Sequence, residues 1–214
     1  MKYRKLVENA KKPNGFWGKM MIKAMNKGHS SLTSWGLEHM NIERTATVLD
    51  IGCGGGKTVD RLCSIVANGK VYGIDYSELS VKSSEKLNSK NILCNKAKIL
   101  QESVSDMPFD DNTFDNITAV ETYYFWPDKE NDVKEVFRVL KQGGTVMLLF
   151  EMLRTDDDPF KWEKVENMLN IKSVTPQEIR SVLESAGFEN INTYTKEGTT
   201  WLCATAQKPK DDEN

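Results

Sequence analysis

The 214-residue sequence predicts an α/β fold: a doubly wound sheet, mostly parallel with an antiparallel edge hairpin, preceded by a helical N-terminal segment. Three observations carry that expectation. Short apolar runs alternate with helical patterns between residues 47 and 150, the sequence form of successive β-α units with right-handed crossovers. The first run, Val48-Leu49-Asp50-Ile51, opens straight into a glycine-rich turn, Gly52-Cys53-Gly54-Gly55-Gly56. The last two runs are separated only by Glu197-Gly198-Thr199, a hairpin signal.

The elements follow in order. The first 14 residues are polar and mixed in charge, and Pro13-Asn14-Gly15 marks a turn. Phe16, Trp17, Met20, Met21 and Met25 then recur at helical spacing as far as Gly28, a helix-ending residue. Ser30 or Ser31 is placed to cap a second helix carrying Leu32, Trp35, Leu37 and Met40. Two readings of residues 1–45 stay open: helices packed on a sheet edge, or a lid whose Met and aromatic side chains wall a small-molecule pocket. Strand 1 is expected at 47–51 with a helix to about residue 67, and Asn68-Gly69 turns into strand 2 at 70–75. Ser77 caps the next helix, with Glu78 in its first turn. Strand 3 is expected at 98–102, strand 4 at 114–120 and a helix at 129–140. Gly143-Gly144 reads as a turn into strand 5 at 145–150. Asp158-Pro159 signals a short helix through Leu169. Thr175-Pro176-Gln177-Glu178 joins a capping box to a proline at the first helical position, and Ala186-Gly187-Phe188 ends that helix. Strands at 191–196 and 200–206 complete the hairpin, and the charged tail from Lys208 is expected to be disordered. The expected organisation is one core over 46–208, an N-terminal extension over 1–45 and a tail over 209–214.

Bulk properties narrow the function classes. Hydrophobic content of 39% and charged content of 28% are those of a soluble globular chain, and a net charge of −2 favours neither a nucleic acid nor an anionic membrane as partner. No apolar run reaches the roughly 20 residues of a membrane span, and no signal peptide is evident. Four scattered cysteines read as reduced thiols and point to the cytoplasm. With only His29 and His39 present, a histidine-rich metal site is not expected, and no metal is assigned. Nothing in the sequence bears on oligomeric state.

The turn at 52–56 stands where open α/β sheets bind ligands, beyond the carboxyl end of a strand. Glycine lets the backbone approach a ligand closely there. Asp75, at the end of strand 2, is placed to accept both ribose hydroxyls of a nucleoside; a solvated strand-end carboxylate is the plainer alternative. A dinucleotide fingerprint needs GxGxxG, but Lys57 stands where its third glycine would fall. Asp50, just before the turn, would repel a pyrophosphate and suit a ligand bearing an ammonium group. S-adenosylmethionine has both an adenosine and a zwitterionic methionyl end.

Asp50-Ile51-Gly52-Cys53-Gly54-Gly55-Gly56 resembles the first motif of the class I S-adenosylmethionine-dependent methyltransferases, and Val71-Tyr72-Gly73-Ile74-Asp75-Tyr76-Ser77 resembles their second. Met107-Pro108-Phe109-Asp110-Asp111-Asn112-Thr113-Phe114-Asp115 resembles their LPFxDxxFD segment. The run from Glu135 to Gly144 is similar to ExxRVLKPGG, with Gln142 for the proline. Ala186-Gly187-Phe188 matches as well. Five weak motifs in order over residues 46–206 make a specific match, nearest the "type 11" small-molecule methyltransferases with their Rossmann-like sheet. The resemblance implies S-adenosylmethionine as cofactor, with S-adenosylhomocysteine as product. It assigns the methionyl end to Asp50, Gly52 and Gly54, the ribose to Asp75 and the adenine side to Tyr76. Ser103 and Val104 fall where the family has an acid for the adenine amino group and a backbone contact to the ring. The acid is missing, so adenine recognition is expected to be weaker or to use a substitute such as Asp106.

Methyl transfer needs a nucleophile aligned with the S–CH3 bond, and a base only where the nucleophile must lose a proton. The loop Glu121-Thr122-Tyr123-Tyr124-Phe125-Trp126 follows strand 4 directly. The family places this loop beside the transferring methyl, with Glu121 a candidate contact for the methionyl end. Tyr123, Tyr124 or Trp126 faces the acceptor or packs under the next helix, and Tyr124 and His29 are the catalytic candidates. A solvent-facing or capping role for His29 is the alternative. Base-modifying nucleic-acid methyltransferases often carry Asn/Asp-Pro-Pro-Tyr/Phe after strand 4, which is absent here, so a small-molecule acceptor is expected. The competing functions are a nicotinamide-dependent oxidoreductase on a similar sheet and a non-catalytic cofactor sensor.

Overall fold

The computed structural model describes residues 9–210. Its strands are β1 (Thr47–Ile51), β2 (Lys70–Ile74), β3 (Ala97–Leu100), β4 (Phe114–Val120), β5 (Leu140–Phe150), β6 (Glu189–Thr195) and β7 (Leu202–Gln207). Among the described residues these seven form one sheet in the order β3-β2-β1-β4-β5-β7-β6. Strands β1 to β5 are mutually parallel, and β7 inserts antiparallel between β5 and β6. The chain winds one way through β1, β2 and β3 and the other way through β4 and β5. That reversal leaves a crevice at the carboxyl ends of β1 and β4.

The helices are α1 (Gly15–Gly28), α2 (Ser30–Leu37), α3 (Lys57–Ile65), α4 (Glu78–Leu87), α5 (Ser89–Leu93), α6 (Lys129–Val139), α7 (Glu163–Leu169) and α8 (Pro176–Ser185). Both sheet faces are covered, so the central strands are apolar almost throughout. On β5, Val146, Leu148 and Phe150 join Val133 and Val136 of α6 and Ile179 and Leu183 of α8 in one core. The alternate residues Met147 and Leu149 face Leu32 of α2, as a period of two requires. Val48 and Val71 pack on the same side against Val59, Leu62 and Cys63 of α3. All four cysteines are free thiols.

Several local expectations are corrected. Gly143-Gly144 is not a turn: β5 already begins at Leu140, and its register on β4 jumps from Phe114↔Leu140 to Asn116↔Thr145. The glycines lie in that irregularity, with Gly143 at φ +74°, so the strand bends without ending. Neither Ser30 nor Ser31 caps α2; His29 holds that position without a side-chain cap bond, and α2 stops at Leu37. Strand 3 begins and ends earlier than expected, and the short helix starts at Glu163 rather than at Pro159. Lys208 does not open a disordered tail. It is buried, and its ammonium donates to Asn112 Oδ1 and the Phe137 carbonyl, each at 2.8 Å. Residues 211–214 of the expected tail lie outside the described residues.

Two of the sequence motifs serve the frame. The Arg138 guanidinium donates to both carboxylate oxygens of Glu135 at 2.7 Å, to Asp111 at 2.8 Å, and to the carbonyls of Phe109 and Met107. Glu135 in turn accepts from the Met107 amide at 2.9 Å. Asp115 accepts from the Thr47 amide and from Lys141, each at 2.7 Å. The 107–115 and 135–144 segments therefore clamp each other and the start of β1.

Candidate functional site

The carboxyl ends of β1, β2, β3 and β4 open on one cleft. It holds two cavities, one of about 100 Å³ under α1 and one of about 1190 Å³ running toward α7. They meet at Lys11, Gly52, Asp75, Tyr76, Thr122 and Phe125.

The glycine turn is locked on both sides. Gly52 has φ +67°, and a Cβ there would come within 2.2 Å of Thr122 Oγ1. Gly56 has φ +81°, and its Cβ would meet Ser84 Oγ at 2.4 Å. Asp75 braces the turn: one carboxylate oxygen accepts from the Gly54 amide at 2.9 Å and the other from the Ser77 amide at 2.8 Å. Burial raises its pKa, against the pull of those amides. Asp50 is 2% exposed and accepts from Thr118 Oγ1 at 2.7 Å, across the β1–β4 register Asp50↔Thr118. Burial pushes the Asp50 carboxyl up to about 7, with the Thr118 bond opposing and the Asp75 charge adding. The sequence suggests a free negative charge at Asp50. The fold instead leaves a carboxyl poised between its two protonation states at neutral pH.

Tyr76 stands at the junction of the cavities and donates its hydroxyl to the Lys11 carbonyl, while Lys12 lies 5.5 Å from its ring centroid. The N-terminal segment is thus tied over the cleft. Ser103 and Val104 line the larger cavity. The Ser103 hydroxyl already accepts from the Ser105 amide at 3.2 Å. The carboxylate lining that cavity beside them is Glu102; Asp106, the expected substitute, is exposed and does not line it.

At the end of β4, Glu121 adopts φ +58°, a left-handed conformation uncommon for a residue with a side chain. Its Oε1 accepts from the Glu151 amide and from the Tyr124 hydroxyl. Burial pushes its carboxyl up to about 8, with the Glu151 amide bond opposing and the Glu151 charge adding. The Tyr124 hydroxyl also accepts from the Met152 amide at 3.0 Å, so it is pinned from both sides. Tyr123 and Trp126 pack against each other with ring centroids 5.2 Å apart, and Trp126 lines the larger cavity.

His29 closes the smaller cavity from the α1–α2 junction, with Nε2 3.8 Å from Glu151 Oε2. Burial lowers its pKa, and Glu151 partly offsets this. Donor atoms of His29, Glu121 and Glu151 all lie within 4.8 Å of one another, a set that could hold a divalent cation although the sequence has too few histidines for a His-rich site. The helical segment is fastened at two further points. Asn26 Nδ2 donates to the Gly55 carbonyl at 3.3 Å, and Arg61 donates to the carbonyl and hydroxyl of Ser30 at 3.0 Å. His39 lies elsewhere, stacked on Tyr194 at 4.0 Å.

Thr118, Thr122, Asn26, Arg61 and Glu151 were not singled out by the sequence. Thr118 could be found only by knowing the β1–β4 register. Glu151 could be found as the residue just beyond the last apolar position of β5.

Comparison with known proteins places this geometry. A family model described as "Methyltransferase domain" matches residues 49–148. The uncharacterized methyltransferase YdaC of Bacillus subtilis is 27% identical over 85% of this chain and 93% of its own length. The ubiquinone/menaquinone biosynthesis C-methyltransferase UbiE of Cronobacter sakazakii is 30% identical over 73% of this chain and 72% of its own. The chain belongs to the class I S-adenosylmethionine-dependent methyltransferases. A sterol 24-C-methyltransferase of Pneumocystis carinii is 31% identical over 50% of the chain, but that match spans only 28% of the sterol enzyme. Among solved structures, a SAM-dependent methyltransferase from Aquifex aeolicus superposes with a TM-score of 0.68 at 22% identity, covering 87% of this chain and 96% of its own. The [4+2]-cyclase SpnF superposes with a TM-score of 0.73 at 17% identity over 92% and 84%. This methyltransferase sheet therefore also carries other chemistry, and the reaction has to be argued from the cleft.

Proposed function

We propose that the protein transfers a methyl group from S-adenosylmethionine to a small-molecule acceptor. The observation that carries this reading is that the Gly52–Gly56 turn and Asp75 share one cleft with a cavity closed by His29 and Glu121. The residues suit the cofactor. Gly54 has open space on its Cβ side, with only the Gly52 carbonyl within 4 Å, so the main chain is bare where the methionyl end would lie. The Asp75 carboxylate accepts from the Gly54 and Ser77 amides and from the Ser80 hydroxyl, which leaves it one lone-pair direction for a ribose hydroxyl. Tyr76, Ser103 and Val104 would border the adenine, with Glu102 the nearby acceptor for its amino group. Gly52, and Glu121 through its main chain, would meet the methionyl end, with Asp50 fixing the turn from beneath.

When bound, the cofactor supplies an electrophilic methyl sulfonium. The chain's part is positioning, water exclusion and proton removal. His29 is the base: burial favours its neutral form, which can accept a proton at neutral pH, and Glu151 stabilises the imidazolium that results. Tyr124 is a positioning residue, its pinned hydroxyl holding the Glu121 carboxyl in place. An apolar acceptor suits walls made of Met25, Val120 and Phe125. The names of two relatives point the same way, since both specify C-methylation, one in quinone biosynthesis and one of a sterol. A carbon acceptor must shed a proton, which gives a base a task. Helices α1 and α2 act as the lid, and the reaction belongs in the cytoplasm.

Calorimetric titration with S-adenosylhomocysteine and with NAD tests the cofactor. Binding of the first and not the second is expected; failure of the first at concentrations far above the micromolar range would end this reading. Incubation with labelled methyl donor and a metabolite extract then identifies the acceptor. Cofactor binding with no labelled product from any extract would favour a sensor.

A further inference from the structure

Helix α1 has an outer face that the cleft does not use. Its inner residues Gly18, Met21 and Ile22 are buried, and Met25 and Asn26 line the smaller cavity. The opposite stripe, Phe16, Lys19, Met20, Lys23, Ala24 and Lys27, repeats at helical spacing and is exposed along its whole length. Phe16 is 69% exposed and Met20 43%, while Trp17 packs edge-on against Phe16. The helix carries three lysines and no acidic residue, and Lys11 and Lys12 precede it. Its neighbour α4 adds two acids and two lysines, Glu78 paired with Lys82 and Glu85 beside Lys86, which cancel. So a chain of net charge −2 gathers, among the described residues, unpaired positive charge and exposed apolar bulk on one helix at the mouth of its cleft.

We propose that α1 is an interfacial helix that seats the mouth of the cleft on an anionic lipid surface. Phe16, Trp17 and Met20 enter the headgroup–acyl boundary, and Lys19, Lys23 and Lys27 lie beside them with stems in the interface and ammonium groups at the phosphates. A second copy of the chain is the poorer occupant. A two-fold contact would set this acid-free lysine stripe against itself. No helix among the described residues is long and apolar enough to cross a membrane, so the association is peripheral. The surface stands whatever the cleft does. Its consequence, an amphiphilic acceptor taken from the bilayer, rests on the methyl-transfer reading.

The test is co-sedimentation of the full chain with vesicles of phosphatidylcholine, alone or with phosphatidylglycerol. Binding to the anionic vesicles is expected, weakening with salt. Each lysine neutralised should cost about 5-fold, so Lys19→Gln with Lys23→Gln should cost about 25-fold. Phe16→Ala with Met20→Ala should also weaken binding. All of these positions are solvent-facing, so affinity for S-adenosylhomocysteine should be unchanged in both variants, which separates failure of this proposal from failure of the cofactor site. No association with anionic vesicles, association unaltered in both double variants, or a lipid-free dimer dissolved by the same substitutions would each overturn it.

Discussion

The two ends of the cleft are built in opposite ways. At the β1–β2 end, Gly52, Gly54, Gly56 and Asp75 come from two short motifs, and their main constraints sit on the backbone: a positive φ at each glycine, no room for a Cβ at Gly52 and Gly56, and a carboxylate on two amides. At the β4–β5 end, His29, Glu121 and Glu151 come from three separate parts of the chain and meet within 4.8 Å. The first end is fixed by backbone geometry and the second by tertiary packing. Substitutions at the first should therefore act on cofactor affinity and stability, and those at the second on turnover and pH dependence.

The largest effect that would break this division is at His29. His29→Asn should lower turnover by about 10²-fold or more while leaving S-adenosylhomocysteine affinity within error. Equal losses in both would return His29 to a purely structural role. Glu151→Gln should act through His29. Because Glu151 raises the imidazole pKa, its removal should move the acidic limb of the pH–rate profile to lower pH.

Asp75→Ala should weaken S-adenosylhomocysteine binding by about 100-fold, the scale of one hydrogen bond to a charged group. An unchanged calorimetric affinity would remove the ribose assignment. Gly56→Ala should cost about 2–3 kcal/mol in a urea titration, since its Cβ must displace Ser84 and Asn88 at a positive φ.

The last effect is graded with pH, and the smallest single change in it is the one that Glu121→Gln makes between about pH 7 and 8. Asp50 is raised from 3.8 to about 7 and Glu121 from 4.5 to about 8. The folded protein keeps protons there that the unfolded chain has already lost. Their contribution to stability is thus fully present below the unfolded values and is lost as pH rises through the folded ones. Ligand-free stability should fall between about pH 5 and pH 8, by at most about 1.4 kcal/mol per pH unit for one group. Glu121→Gln should flatten the segment between about 7 and 8 and roughly halve the slope below it, where Asp50 still contributes. An unaltered profile would mean that the Glu121 carboxyl is not held protonated.

Legibility followed the same division. Asp50, the turn and Asp75 were readable because a strand, a glycine run and a strand-end acid are contiguous. The 107–115 and 135–144 motifs were readable as well, but what they do was not: their charged residues clamp one another around Arg138 instead of facing a ligand. Asp50 was found for one reason and kept for another. Its neighbour Thr118 is 68 positions away and becomes its partner only through the β1–β4 register. Gly143-Gly144 misled because glycine pairs usually punctuate elements, whereas here the strand absorbs them as an irregularity.

By itself, then, the sequence determined the α/β class, the place of the glycine turn and the family, since these rest on periodicity, glycine stereochemistry and acids next to strand ends. Only the tertiary structure decided that Asp50 loses much of its charge to burial. It also decided that Glu151 meets His29, and that α1 turns lysines and Phe16 outward above the cleft. Desolvation and convergence depend on which surfaces are removed from water together, and residues far apart in the chain carry no local record of that.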